Sequence, residues 1–138
     1  METPQEYVSS AINGINDCYN GKATKNTAEK LEAGIKFCND LVKDSESIEQ
    51  DYVERRTETS HPTIDPLLRI YSRDLTVGDA NVLITNLANE AKEQSKSLCQ
   101  LIDNINNKGK ISQARLARQK EFFNKVQSYY TSGSYLLG

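Results

Sequence analysis

VGDANVLITNLANEAKEQSKSLCQLIDNINN, running from Val77 to Asn107, is the stretch that decides the fold. Val77, Ala80, Ile84, Leu87, Ala91, Gln94, Leu98, Leu101 and Ile105 recur at spacings of three and four, and only Gln94 among them is polar. Such a seam needs a 3.6-residue period, because a strand would throw alternate members to opposite faces. Thr76 and Asp79 are spaced as a capping box at its start. The helix is expected to be about 45 Å long at 1.5 Å per residue. A seam of that length must be covered by other helices, so the elements on either side are read as its partners.

Upstream, Thr3, Pro4 and Glu6 form a capping box with proline at the first helical position. Val8, Ala11, Ile12, Ile15, Cys18 and Tyr19 follow as a narrow stripe, and Asn20-Gly21 is the stop. A second helix is expected from Asn26 or Thr27, with Glu29 answering Asn26. Leu31, Ile35, Cys38 and Val42 are its stripe, widened by Gly34, Phe37, Leu41, Ile48 and Tyr52. So wide an arc faces two neighbours, or one neighbour and an outside partner. Its end falls between Ser47 and Arg56, and Thr57–Asp65 reads as a loop. Asp65 and Pro66 open a short helix carrying Leu67, Leu68, Ile70 and Tyr71.

Downstream, Asn107-Lys108-Gly109-Lys110 is a tight turn and Ser112 caps the last helix, with Ile111 placed to staple onto Leu116. Leu116, Phe122, Phe123, Val126, Tyr129 and Tyr130 are its apolar residues. The fold class expected is therefore all-α: an antiparallel, up-down bundle of four main helices plus one short helix. Residues 1–131 form a single bundle domain and residues 132–138 a short apolar tail, expected to fold back over one end of the bundle.

Bulk composition narrows the function. The 138 residues carry 17 basic and 19 acidic side chains, for a formal net charge of −2, which makes nucleic acid an unlikely partner. No apolar run approaches the ~20 residues that cross a bilayer. The first residues lack a basic and then apolar leader, and Cys18, Cys38 and Cys99 are odd in number and far apart. Together these point to a reducing, cytoplasmic location without disulfides.

Catalytic and metal chemistry is not expected. The one histidine, His61, lies between Ser60 and Pro62 in a polar loop, where solvation is its ordinary state. The cysteines are too dispersed for a zinc site and are expected to fill the helix stripes as small hydrophobes. The carboxylates fall on polar faces, no phosphate-binding glycine loop is present, and no cofactor is implied.

What remains is binding. The sequence points to a non-enzymatic protein acting through protein–protein interaction, as an adaptor, assembly subunit or small regulator, its partner another protein or a further copy of itself. Phe37 and Val82, at the edge or outside of their wheels, and the tail residues Tyr135, Leu136 and Leu137 are the candidate partner contacts. The alternative is an anionic ligand, nucleic acid or lipid surface held by Lys108, Lys110, Arg115 and Arg118. Acids concentrate from Asp40 to Glu54 and bases from Lys108 to Lys125. The expectation is that these two helices lie side by side and neutralise each other, with head-to-tail pairing of two copies as the competing arrangement.

Overall fold

The structure is a computed structural model, and it describes residues 2–54, 60–68 and 77–132. Five helices are present among them: α1 (Pro4–Tyr19), α2 (Lys25–Glu54), α3 (Asp65–Leu68), α4 (Val77–Asn106) and α5 (Gln113–Ser132). No strand occurs among the described residues.

Local chemistry sets most of the helix ends. The Glu6 amide donates to Thr3 Oγ1 at 3.2 Å, and Pro4 follows the cap. Asn20 ends α1, and Gly21 takes the left-handed conformation with φ 69°. The α2 cap differs from expectation: Thr24 and Thr27 cap each other reciprocally, Thr24 N to Thr27 Oγ1 at 3.0 Å and Thr27 N to Thr24 Oγ1 at 3.4 Å. Thr24 thus starts the helix at Lys25 rather than Asn26. Ser112 Oγ accepts from the Arg115 amide at 3.3 Å, as a cap should. The Thr76 cap of α4 lies outside the described residues.

α1 packs on α2, α2 on α4, α4 on α5, and α5 back on α1, closing a ring. Every neighbour runs antiparallel. Lys30, near the start of α2, meets Asp17 at the end of α1; Ser95 meets Asn39; Gln119 meets Ser97; and Gln127 meets Ser9. This is the up-down bundle expected, with α1 and α4 on one diagonal and α2 and α5 on the other. From Ile84 onward the α4 seam holds: Ile84, Ala91, Leu98 and Leu101 are buried, while Leu87 and Ile105 pack half-buried against the core; the side chains of Val77 and Ala80 lie outside what is described.

Gly34 lies at the centre. A Cβ there would meet Ala11 of α1, Leu98 of α4 and Phe123 of α5. One turn along, Phe37 sits between the rings of Phe123 and Tyr130, both with centroids 6.3 Å away. Phe37 is fully buried, which corrects its expected availability to a partner. The wide arc of α2 faces α1, α4 and, across the diagonal, the rings of α5, so the edge of its wheel still faces inward.

Helix lengths decide the rest. α2 and α4 have 30 residues each, α1 only 16 and α5 20. At 1.5 Å per residue α2 outreaches α1 by roughly 20 Å. The corner beyond the start of α1, between α2 and α5, is taken by the 60–68 segment. Ile64 and Leu67 are buried there, and Tyr130 donates its hydroxyl to the Thr63 carbonyl at 2.6 Å.

Candidate functional site

His61 is only 7 % exposed, correcting the expectation of a solvated ring. Its Nε2 lies 2.9 Å from Asp51 Oδ2 and its Nδ1 3.5 Å from Asp65 Oδ1. Asp65 also accepts from the His61 amide at 2.9 Å, and Asp44 accepts from the amides of Thr63 and Ile64 at 2.8 and 3.3 Å. Asp51 is itself buried, against the expectation that carboxylates keep to polar faces. Three aspartates therefore satisfy donors of the segment that plugs the bundle corner. Both nitrogens of His61 face carboxylates, and the cluster ties the 60–68 segment to α2.

No group of three or more histidine, cysteine or carboxylate side chains suited to a metal occurs among the described residues. Cys18 and Cys38 are buried as expected, and burial pushes their thiols up to about 11 and about 12, with Asp17 adding to the shift at Cys18. Cys99 is exposed, correcting its expected place in the stripe. The cause is rotation: Leu98 faces the core, and the next residue turns about 100° away from it.

The acidic and basic segments do not neutralise each other across one interface. They sit on diagonal helices and at opposite ends, which corrects the side-by-side expectation. Their charges have other partners. Lys36 pairs with Asp40 along α2, Lys125 pairs with Glu90 of α4, and the Lys120 ammonium lies over the Tyr19 ring. Because the chain runs up and down, both tight turns fall at one end. Lys22 and Lys25 of the first turn therefore join Lys108 and Lys110 of the second, with all four exposed. Lys108 sits at the apex in the left-handed conformation, φ 53°. Arg115 is half-buried and Arg118 exposed at the same end. Lys22 and Lys25 escape a sequence reading, since nothing local links them to residues more than eighty positions away.

At the opposite end, α2 and α4 run on past their neighbours. Between them lies a groove of about 360 Å³, lined by Ile48, Glu49, Val53, Asn81, Ile84 and others. Val53 is 69 % exposed and Val82 60 %. Val82 faces outward, as its place on the helical wheel predicts, whereas Val53 lies where residue order leaves the end of α2 open. Tyr135, Leu136 and Leu137 lie outside the described residues.

No helix among the described residues is long and apolar enough to cross a membrane. The arrangement defines an up-down four-helix bundle with a fastened loop and two chemically different ends. No family model, no curated protein and no solved structure matches the chain.

Proposed function

We propose that this protein is a non-catalytic helical bundle that acts by binding another protein, as an adaptor, assembly subunit or small regulator. The observation that carries this is the groove between α2 and α4 where they outrun the bundle, lined by Ile48, Ile84 and the exposed Val53, with Val82 exposed on the same stretch of α4. An apolar-lined groove with exposed valines on the helices that form it offers surface that a partner can dehydrate. The buried histidine supports a binding role over catalysis, since its nitrogens are engaged in fastening the loop. Free thiols, two of them buried, support a reducing, cytoplasmic setting.

Affinity capture from native cell extract tests this with two baits, the wild type and Val53→Glu/Val82→Glu. Both sites are exposed, so the thermal melt should be unchanged. A protein retained by the wild type and lost by the variant supports the proposal. Identical recoveries from both baits overturn the assignment to this end.

A second function is favoured by the gathering of Lys22 and Lys25 beside Lys108, Lys110, Arg115 and Arg118: binding of an anionic ligand, nucleic acid or lipid surface at the turn end. Such binding falls steeply with salt. A chain that ignores RNA and anionic vesicles at low ionic strength does not bind this way.

A further inference from the structure

We infer that the turn end of the bundle docks end-on against an anionic lipid surface, which rests on the anion-binding function above and gives it one target. The two turns carry the charge. Residues 20–27 and 106–114 contain Lys22, Lys25, Lys108 and Lys110 and no carboxylate. All four lysines are exposed, and among the described residues none is ion-paired, whereas Lys30, Lys36 and Lys125 each hold an acid. Backbone bonds fix where they stand. The Lys22 amide donates to the Asp17 carbonyl at 2.9 Å and the Gly109 amide to the Asn104 carbonyl at 2.7 Å, while the reciprocal Thr24–Thr27 cap encloses Lys25.

The layout of this charge favours a plane over a strand. A nucleic acid lying along the bundle needs a run of phosphate contacts. That run breaks behind the tip, at the exposed Glu29, Glu32 and Asp103 and, on the outward face of α5, at Ala117, Glu121 and Asn124. A lipid surface needs no such track, because a plane set across the bundle axis meets both turns at once. Each lysine brought close to an anionic leaflet adds about fivefold to binding, so four together add several hundredfold. With four positive charges on the turns and a net charge of −2, the remainder of the chain is negative, and the same surface repels it. The exposed Glu46 and Glu49 lie more than about 30 Å along α2 from Lys25, beyond the ~10 Å reach of charge at about 100 mM salt. Only an end-on approach therefore brings attraction without repulsion.

Vesicle co-sedimentation of the full chain tests this at about 100 mM salt. Phosphatidylcholine vesicles with about one third phosphatidylserine should retain the protein, and pure phosphatidylcholine should not. Lys22→Glu/Lys25→Glu and Lys108→Glu/Lys110→Glu should each cut binding more than about tenfold, and Lys108→Gln/Lys110→Gln should lose less. Lys92→Glu/Lys96→Glu makes the same change in net charge on the flank of α4 and should bind as the wild type does. All six lysines are exposed, so the thermal melts should match. Equal loss in the flank variant, equal retention by uncharged vesicles, or indifference to both turn pairs overturns the inference. Single-stranded RNA run in parallel separates the two levels. RNA bound while vesicles are ignored sinks the lipid target and leaves anion binding standing; if neither is bound, both fall.

Discussion

Gly34 of α2 and Ala11 of α1 approach so closely that a Cβ on Gly34 would lie 2.8 Å from the Cβ of Ala11. The same added carbon would lie 3.0 Å from Leu98 Cδ1 and 3.3 Å from Phe123 Cζ. Four helices thus converge on one missing side chain. Two effects oppose each other in Gly34→Ala. Alanine gains about 1 kcal/mol of helix propensity, while overpacking a filled core costs about 1–3 kcal/mol. Because Ala11 can retreat only with its backbone, the steric cost should win. Urea denaturation should show a net loss of stability; a more stable variant would mean the helices can separate at this level.

Leu98 is fully buried on the α4 seam and reaches toward Gly34. Leu98→Ala should lower the unfolding free energy by about 2–5 kcal/mol. Val82→Ala, on the exposed side of the same helix, should change it by less than about 0.5 kcal/mol. Comparable losses for the two would show that the seam faces elsewhere.

The cysteines should divide by exposure. At pH 8 a thiol reagent should titrate Cys99 quickly in the native protein, and all three cysteines once the chain is unfolded. Burial raises Cys18 to about 11 and Cys38 to about 12 from an ordinary value of 9.0, so their protonated forms are favoured by folding. The stability this contributes is complete below pH 9 and is lost as pH rises toward 12. Burial also raises the Tyr130 phenol, which acts in the same direction. The melting temperature should therefore fall above pH 9, and Cys38→Ala should flatten that fall.

Asp17 has the opposite sign. The hydrogen bond from the Lys30 ammonium at 2.9 Å, helped by the Thr27 hydroxyl at 3.0 Å, holds its carboxyl below the ordinary 3.8. Its contribution is full above that value and is lost as the pH falls through the depressed one. The pair is partly exposed, so the effect should stay under about 1 kcal/mol. Asp17→Asn should narrow the difference in melting temperature between pH 6 and pH 2–3.

His61 and Asp51 are both buried, so removing either side of the pair should cost stability. His61→Ala and Asp51→Ala should each destabilise, and the double variant should lose less than the sum of the two. In His61→Ala the amides of Thr63 and Ile64, which donate to Asp44, should exchange with solvent faster than those of Leu98 or Leu101. Exchange unchanged at Thr63 and Ile64 would show that Asp44 alone fastens the segment.

Much of this bundle was legible from residue order because periodicity and capping act within a few positions. The seam from Ile84 to Leu101, the Thr3 cap and the stop at Gly21 each follow from neighbours three or four residues apart. Cys99 is misplaced in the stripe, although its neighbour Leu98 belongs to the seam and so turns it about 100° off that face. The burial of Phe37 was not legible: the angle on a wheel says how far a residue lies from the stripe, not how many helices will surround it. Nor could local order show that His61 is buried. Its partner Asp51 is ten residues away across a loop, and the corner it fills exists because α1 is about half as long as α2.

Sequence by itself determined the helices, their order and the antiparallel sense of the two pairs joined by short turns, α1 with α2 and α4 with α5, because each depends on interactions along the chain or on the brevity of those turns. Tertiary structure alone decided which helices are diagonal, which loop fills the short corner, and that both turns gather lysines at one end while carboxylates collect at the other. Those outcomes come from packing a ring of unequal rods, and distances across a ring are set by all its members together.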